Sequence, residues 1–302
     1  MDSFYLAIDK PGAMSSRRVV DIVGRCVGTR KVGHAGTLDP LATGVLVTAI
    51  GRATRLVEYV QRMPKTYEAE FQLGATSDTD DIEGEVHVRE DVVMPDEATI
   101  RKALEPFVGT IDQVPPAYSA LKLEGRRAYD LARRGEEVVL NARPVTIHAI
   151  TLLGLELPRL RLRIECGSGT YIRSLARDLG ERLGTGGLMS ALRRTAIGSF
   201  VAERAVTIDE LSTGAWREKI EPLEKGVEHL PRLVIAPEKT WAFSQGQHVA
   251  QAESTLRAGQ ECAAFTSDDH FLGIAQMKQA PEGFACHLKK GGFLEVPRMD
   301  VP

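Results

Sequence analysis

A glycine-rich run that contains an aspartate-proline pair constrains the fold of this chain more than any other sequence feature. Residues 33–44 read GHAGTLDPLATG, and the three glycines permit backbone angles that other residues resist. Pro40 fixes the backbone after Asp39 and biases Asp39 itself towards extended geometry. We therefore predict a rigid loop, here called the Asp39 loop, that presents the carboxylate of Asp39 and the imidazole of His34. An aspartate before a proline is most often a turn residue, so the loop alone does not decide between structure and function.

The rest of the chain mixes strand and helix patterns without a regular repeat. Alternation of apolar and polar residues over 65–73 predicts a half-buried strand. An apolar stripe over 170–183 predicts an amphipathic helix, and 145–157 and 160–166 are interpreted as paired strands. The arginine-rich segment 126–134 has helical character. This irregular mixture predicts an α+β fold rather than a βαβ repeat.

The composition changes after about residue 230. Prolines, glycines and short apolar runs over 231–302 predict a small β-rich module. The boundary is placed within 221–231, because a charged stretch that bears proline is typical of a linker. The larger domain is then expected to span 1–225.

No motif for a metal or an organic cofactor is found in the sequence. The four cysteines lie far apart without a C-x-x-C pair and are expected to be reduced thiols. The histidines are equally scattered, no cluster has the spacing of a zinc site, and there is no nucleotide-binding loop. We therefore expect chemistry that depends on side chains alone, with no cofactor and no metal.

Targeting signals are also missing from the sequence. The apolar runs are too short to span a bilayer, and the first residues lack the basic region and cleavage site of a signal peptide. We therefore expect a cytoplasmic protein that does not bind membranes.

The distribution of charge says more about partners than the net charge of −3. Residues 76–105 hold ten acidic and three basic residues, whereas residues 159–198 hold eight basic and three acidic ones. Residues 119–145 add six more basic residues, and thirteen of these fourteen are arginine, which suits forked contacts to phosphate. The two arginine-rich segments predict a basic face.

The Asp39 loop resembles the GHxGxLDPxAxGxL signature of the TruB family of tRNA pseudouridine synthases. Further motifs resemble that family in the same order, so that the resemblance covers roughly residues 4–210. They read GRAT at 51–54, KTYEA at 65–69, PPAYSALK at 115–122 with ARPV at 142–145, GTYIRSL at 169–175 and LRRT at 192–195. Agreement of six ordered motifs makes the resemblance specific.

The resemblance implies a fold, a reaction and a partner. The fold would be a mixed, mainly antiparallel sheet flanked by helices, followed by a PUA-like RNA-binding module at 231–302. The reaction would be isomerisation of the uridine at tRNA position 55 to pseudouridine, with the glycosidic bond broken at N1 and remade at C5. The partner would be the T stem-loop of tRNA, gripped by the insertion at 119–145. A monomer is expected, since one chain can embrace one stem-loop.

The resemblance also implies residue roles, beginning with Asp39 as the essential catalytic carboxylate. Arg173 would pair with Asp39 and favour its ionised form, because an adjacent cation lowers the pKa of a carboxyl group. Whether Asp39 attacks the ribose, attacks the base or removes a ribose proton stays open.

Four further residues would bind the substrate uridine. Tyr67 would stack on the base, Tyr171 would lie beside it, and Leu192 would close the apolar wall of the site. The uridine must leave its folded loop before any chemistry, at a cost of roughly a few kcal/mol. His34 would fill the vacated space by stacking.

The sequence departs from the family pattern in two places. The family usually has glycine where Ala13 stands in KPGAMSS at 10–16, so this loop is expected to bend differently unless Gly12 compensates. Whether Lys10 contributes to the site therefore stays open. The C-terminal module resembles the family only loosely, through FSQGQ at 243–247.

Two other classes of function stay open. An RNA-binding or RNA-folding protein would keep this architecture without catalysis, and loss of Asp39 would then change no assay. A glycosidase would use Asp39 near a sugar, but that chemistry normally requires two working carboxylates. No second acid lies in the same motif as Asp39, and the other matched motifs contain only Glu68 of KTYEA, which disfavours the glycosidase.

Overall fold

The computed structural model describes residues 3–118, 122–123, 126–127, 140–251, 256–280 and 283–294. These residues form a nine-stranded sheet, a five-stranded sheet and two separate pairs of short strands. The α+β fold predicted from the sequence is confirmed, and so is the β-rich character of the C-terminal region. No helix in the described ranges is long and apolar enough to cross a membrane.

The strands are, in chain order, β1 (Phe4–Lys10), β2 (Val32–His34), β3 (Thr43–Ile50), β4 (Lys65–Leu73), β5 (Ala75–Ser77), β6 (Val86–Val88), β7 (Gly109–Gln113), β8 (Lys122–Leu123), β9 (Arg126–Arg127), β10 (Arg143–Glu156), β11 (Arg159–Cys166), β12 (Gly187–Ile197), β13 (Phe200–Val201), β14 (Arg232–Val234), β15 (Val249–Gln251), β16 (Glu261–Phe265), β17 (Phe271–Ala280) and β18 (Gly283–Lys290). The α-helices are α1 (Ser16–Val27), α2 (Val57–Arg62), α3 (Glu97–Leu104), α4 (Ile172–Leu183), α5 (Ile208–Thr213) and α6 (Pro237–Ser244). Short 3-10 helices lie at Gly51–Leu56, Glu105–Phe107, Ala202–Arg204, Ala215–Lys219 and Leu223–Val227.

The large sheet has the strand order β1-β3-β12-β4-β11-β10-β7, with β2 on β3 and β13 on β12. Its pairings are antiparallel except that of β3 with β12, which is parallel. The parallel pair places Thr43 and Gly44 beside Arg193 and Arg194. The end of the Asp39 loop is therefore held against the centre of the sheet.

Local sequence patterns account for the elements that surround this loop. Strand β4 alternates buried and partly exposed residues along its whole length, as its sequence predicts. Helix α1 begins at Ser15, whose side chain accepts a hydrogen bond from the Arg18 N–H at 3.2 Å. It ends at Gly28, which adopts a left-handed φ of +76°.

The predicted helix at 126–134 is wrong at its first two residues. Arg126 and Arg127 form strand β9, which pairs with Lys122 and Leu123 in β8. Residues 128–134 lie outside the described residues.

Two hydrophobic clusters cover the opposite faces of the large sheet. Alternate residues of β1 divide between them, with Leu6 and Ile8 in one cluster and Tyr5 and Ala7 in the other. The first cluster includes residues of α1, α3, α4 and α5. The second includes residues of α2 and of strands β16 and β17, so the smaller sheet packs behind β1 and β3.

The five-stranded sheet has the order β14-β16-β17-β18-β15. Its Glu261 carboxylate accepts from the Tyr59 hydroxyl at 3.2 Å and from Arg62 at 2.6 Å, both in α2. These polar contacts fix α2 between the two sheets. The limits 1–225 and 231–302 for two separate domains stay predictions.

Candidate active site

A cavity of about 310 Å³ opens where the Asp39 loop meets the beginning of α4. Its walls come from residues 36–39, residues 167–173, and the side chains of Gln61, Lys65, Tyr67, Leu192 and Arg194. The structure thus brings together Asp39, Tyr67, Tyr171, Arg173 and Leu192, which were predicted from distant parts of the sequence. His34 is not among the residues that line this cavity.

The Asp39 loop is anchored from below by Ser16, a residue at the beginning of α1. The buried Ser16 hydroxyl donates to the Leu38 carbonyl and accepts from the Leu38 N–H, both at 2.9 Å. Leu38 directly precedes Asp39, so Ser16 fixes the backbone from which the carboxylate projects. The sequence does not reveal this contact, because a hydrogen bond across 22 residues leaves no local pattern.

Lys10 fixes the other side of the same loop. Its fully buried ammonium donates to the carbonyls of Met14 at 2.6 Å, Pro11 at 2.9 Å and Pro40 at 3.1 Å. Burial lowers the pKa of Lys10 to about 8. Lys10 therefore positions the loop through Pro40 and is not itself a wall of the cavity.

The turn at position 13, where the family usually has glycine, forms here with alanine. Ala13 itself adopts a left-handed φ of +58°, the conformation that glycine adopts without steric cost. The turn that feeds Lys10 and Ser16 into the site is thus made by an alanine.

Arg194 is a buried cation in the wall of the cavity, whereas the sequence assigned it only to a basic face. It is 2% exposed, and its guanidinium donates to the carbonyls of Val45 at 2.8 Å and Gly36 at 3.0 Å. The close approach of β12 to β3 requires glycine at position 44, since a Cβ there would lie 2.2 Å from the Arg194 carbonyl oxygen. Gly44 and Arg194 together hold both ends of the Asp39 loop on the sheet.

Asp39 and Arg173 form an ion pair at the mouth of the cavity. Arg173 Nε lies 3.0 Å from Asp39 Oδ2, and Arg173 donates from Nη2 to Oδ1 at 3.4 Å. The Asp39 side chain is 35% exposed, whereas that of Arg173 is 7% exposed. The guanidinium also donates to the carbonyls of Thr79 and Tyr118, each at 2.9 Å. Arg173 is therefore held in place independently of Asp39.

A second carboxylate shares this arginine. Asp81 Oδ2 lies 3.6 Å from Arg173 Nε, and the Asp81 side chain is 4% exposed. Asp81 Oδ1 accepts from the Thr79 hydroxyl at 2.6 Å and from the Glu83 N–H at 3.0 Å. Asp81 lies in an acidic turn at 77–85, SDTDDIEGE, and nothing in that sequence marks one of its acids as buried.

The pKa of Asp39 is raised, whereas the sequence-based expectation considered only its lowering by Arg173. Burial is the largest influence and raises the pKa, Arg173 opposes it, and the neighbouring Asp81 raises the pKa further. The expected direction was therefore wrong, because the cost of desolvation outweighs the attraction of the cation.

The two tyrosines reach the cavity from different elements. Tyr67 is 8% exposed in β4, between Ile164 and Arg194 of the neighbouring strands, and burial raises the pKa of its hydroxyl. Tyr171 caps α4, and its N–H and carbonyl bond the buried Gln113 side chain at 2.8 and 3.0 Å. Gln113, which the sequence did not single out, fixes the backbone of Tyr171.

His34 lies at the beginning of the Asp39 loop, paired with Thr48 of β3. Its Nδ1 atom is buried and has no hydrogen-bond partner among the described residues. Burial and the nearby Arg194 lower its pKa, so the ring is neutral at physiological pH.

Most arginines of the segment 159–198 do not form the free basic face that was predicted. Arg173 and Arg194 are buried. Four others pair with carboxylates of the same chain: Arg159 with Glu70 at 3.8 Å, Arg163 with Glu68 at 3.0 Å, Arg177 with Asp80 at 2.8 Å and Arg193 with Asp9 at 2.9 Å. The basic side chains at 122–134 lie outside the described residues. A search of the described residues finds no group of three histidine, cysteine or acidic side chains that could hold a metal ion.

Comparisons with known proteins agree on one family. The model of the TruB family pseudouridylate synthase N-terminal domain matches residues 24–172, and that of the tRNA pseudouridylate synthase B C-terminal domain matches residues 173–238. The chain is 41% identical over 288 residues to tRNA pseudouridine synthase B of Arthrobacter sp. (strain FB24), covering 91% of this chain and 92% of that protein. It is 40% identical over 274 residues to tRNA pseudouridine synthase B of Azoarcus sp. (strain BH72), covering 90% of each.

Two solved structures are similar to this chain over most of its length. A Cbf5-Nop10-Gar1 complex matches with a TM-score of 0.74 and 28% identity, over 95% of this chain and 84% of that chain. An H/ACA RNP bound to a substrate RNA containing 2'-deoxyuridine matches with a TM-score of 0.73 and 26% identity, over 95% and 84% of the two chains.

The anchoring of Leu38 by Ser16 predicts different effects for two adjacent substitutions. Ser16→Ala leaves a buried N–H and a buried carbonyl without their partner, which should lower the free energy of unfolding by about 1–3 kcal/mol and slow turnover at saturating substrate. Ser15→Ala is the control, because it removes only the helix cap, costs about 1 kcal/mol and leaves turnover at the wild-type rate. Urea unfolding and single-turnover kinetics measure both effects, and equal turnover in the two variants would contradict the anchoring role.

Proposed function

The chain belongs to the TruB family of pseudouridine synthases and converts uridine to pseudouridine in tRNA, and we propose that its target is the uridine at position 55 in the T arm. The observation that carries the proposal is the Asp39 carboxylate, held by a buried arginine at a cavity of about 310 Å³. That size is at the lower end of the range for pockets that enclose a small ligand. The uridine would leave its stacked position and enter this cavity.

The proposed reaction is an isomerisation and needs no second substrate. The bond from ribose C1' to N1 of the base breaks and a bond from C1' to C5 forms. The proton on C5 leaves and N1 gains one, so atoms and electrons balance. Asp39 can attack the ribose, attack the base or remove a ribose proton, and in each route its working form is the ionised carboxylate. Arg173 favours that form against the cost of desolvation.

The other cavity residues would bind the base. Tyr67 would stack on its face, since aromatic rings are common partners of unstacked RNA bases. Tyr171, fixed by Gln113, would contact its edge, and the buried Leu192 would close the wall opposite the opening. These contacts hold the base while the ribose carbon exchanges one ring atom for another.

His34 would act outside the cavity. Its neutral ring lies where the Asp39 loop begins and does not line the cavity, which supports a role in the space that the flipped uridine leaves. A neutral imidazole can stack there without adding a charge to the RNA loop.

We also propose a partner and a domain organisation for the chain. A catalytic domain at 1–225 would hold the T stem-loop of tRNA, with the insertion at 119–145 gripping the stem. A PUA-like module at 231–302 would add RNA contacts, and the protein would act as a monomer in the cytoplasm.

The position of Asp81 bears on the glycosidase alternative. It supplies a second carboxylate near Asp39, which that chemistry needs on opposite sides of the scissile bond. However, Asp81 is 4% exposed, shares Arg173 with Asp39 and lines a neighbouring cavity rather than the one that Tyr67 and Tyr171 line. This arrangement favours a positioning role for Asp81.

The direct test uses purified protein and an unmodified tRNA transcript, without added metal or nucleotide. Pseudouridine should form at position 55 and at no other uridine of the T arm, as mapped by chemical sequencing of the RNA. A transcript with cytidine at position 55 is the matched control and should stay unmodified. Modification at another position, or none with the wild-type protein, would contradict the proposed target.

Asp39→Asn keeps the size of the side chain but removes its basicity and its nucleophilic charge. Product formation should fall by at least 10²–10⁴-fold, on the order of the contribution of a positioned acid or base. The Kd for tRNA should change little. Asp178→Asn is the control, since Asp178 also pairs with an arginine of α4, Arg177 at 2.8 Å, but does not line the cavity. Surviving activity in Asp39→Asn would refute the catalytic assignment.

A further inference from the structure

A row of exposed cations follows α1 and the segment after it. Residues 15–31 hold five basic residues and a single acidic one, Asp21. The basic residues are Arg17 and Arg18 in the first turn of α1, Arg25 in its last turn, and Arg30 and Lys31 just before β2. All five are exposed. We call this row the α1 surface.

The amphipathic pattern of α1 keeps these charges in solvent. Its buried residues are Ser16, Val19, Val20 and Val23, so the arginines occupy the remaining faces. Arg17 pairs with Asp21 at 2.9 Å, but both side chains are well exposed and such a pair is weak. Among the described residues, the other four cations form no ion pair with a carboxylate.

Six of the eight arginines of 159–198 are buried or paired with a carboxylate, whereas only one of the five cations of the α1 surface is paired among the described residues. An unpaired arginine has its full set of donors available to a ligand. The α1 surface is thus a part of the described chain where exposed cations are concentrated and mostly unpaired.

Its position connects the site to the C-terminal sheet. At one end Ser16 bonds Leu38, next to Asp39. At the other end the Lys31 carbonyl accepts a hydrogen bond from the Gly51 N–H at 2.9 Å. Arg52, which follows Gly51, donates to the Gly292 carbonyl at 2.5 Å, just after the last strand of the smaller sheet. The surface therefore runs from the cavity towards the smaller sheet.

The chemistry of the surface favours phosphate over an acidic protein. None of the large apolar residues exposed in the described chain lies within 15–31, whereas the buried centre of a protein interface is apolar. Arginine forms forked contacts to phosphate oxygens. A helix of 12 residues is about 18 Å long, enough to follow several phosphates of an RNA stem.

We propose that the α1 surface binds the phosphate backbone of the substrate RNA, outside the flipped nucleotide. The inference rests on the proposed function, because it takes tRNA as the substrate. It adds a docking surface that the sequence-based interpretation of the arginines missed. Contacts to phosphate carry no base specificity, so this surface would set affinity and orientation rather than the choice of uridine.

The test replaces Arg18, Arg25, Arg30 and Lys31 together by glutamine, with the pairs Arg18/Arg25 and Arg30/Lys31 as separate variants. The matched control replaces four exposed arginines that are already paired with carboxylates: Arg101, Arg159, Arg163 and Arg204. The two sets lose the same net charge. Thermal unfolding establishes that every variant is folded, and the paired variants retain the test if the quadruple one is not.

The measurement is the Kd for the unmodified tRNA transcript between about 50 and 200 mM salt. Each lost phosphate contact should reduce the slope of log K against log salt by about 0.7–0.9, so the quadruple variant should lose up to about 3.6. Its Kd should rise at least tenfold, while the single-turnover rate at saturating tRNA stays at the wild-type value. The Kd is measured without product formation, so it does not depend on which uridine is modified.

Two results would overturn the proposal. One is a slope and Kd equal to those of the control variant, which would leave the surface free for another class of partner. The other is an unchanged Kd with a slower single-turnover rate, which would mean that these residues act through the Asp39 loop. A wild-type protein that binds tRNA with the expected slope but forms no pseudouridine would instead contradict the proposed function.

Discussion

The structure of the site depends on the burial of one guanidinium, that of Arg173. Removing a charge from water costs roughly several kcal/mol unless other charges and hydrogen bonds replace the lost solvation. Here two carboxylates and two carbonyls do so, and they come from the Asp39 loop, from the acidic turn at 77–85 and from Tyr118. Satisfying one side chain of α4 thereby brings three distant segments together. Asp39 is far more exposed than Asp81, which leaves it accessible to a substrate.

A second set of contacts makes the Asp39 loop rigid before any substrate arrives. Ser16 and Lys10 bind its backbone on either side of the carboxylate, and Arg194 binds Gly36 while its own backbone packs on Gly44. A rigid loop can hold a carboxylate in a partly desolvated position without losing its geometry. Catalysis by a side chain without a cofactor requires that kind of fixed placement.

The sequence was sufficient for β4, for α4 and for the residues inside recognisable motifs. Alternation in β4 and the apolar stripe of α4 predicted both elements and the side of each that faces the core. Ser16, Asp81 and Gln113 could not be found, because their contacts connect residues tens of positions apart with no periodic pattern between them. The prediction of a free basic face from the arginines of 159–198 was wrong for a related reason. Clusters of arginine look alike in sequence whether their partners are carboxylates in neighbouring strands or solvent.

We propose that Asp39 works as an ionised carboxylate whose pKa is set by burial, by Arg173 and by Asp81. The most direct measurement is the pH dependence of the single-turnover rate at saturating tRNA, for the wild type and for Asp81→Asn. In the wild type the rate should rise with pH through a pKa above the usual range of an aspartate. Removing the negative charge of Asp81 should move that rise to lower pH, because Asp39 then loses its proton more easily. A rise that stays in place or moves to higher pH in Asp81→Asn would contradict the claim that Asp81 raises the pKa of a working Asp39 carboxylate.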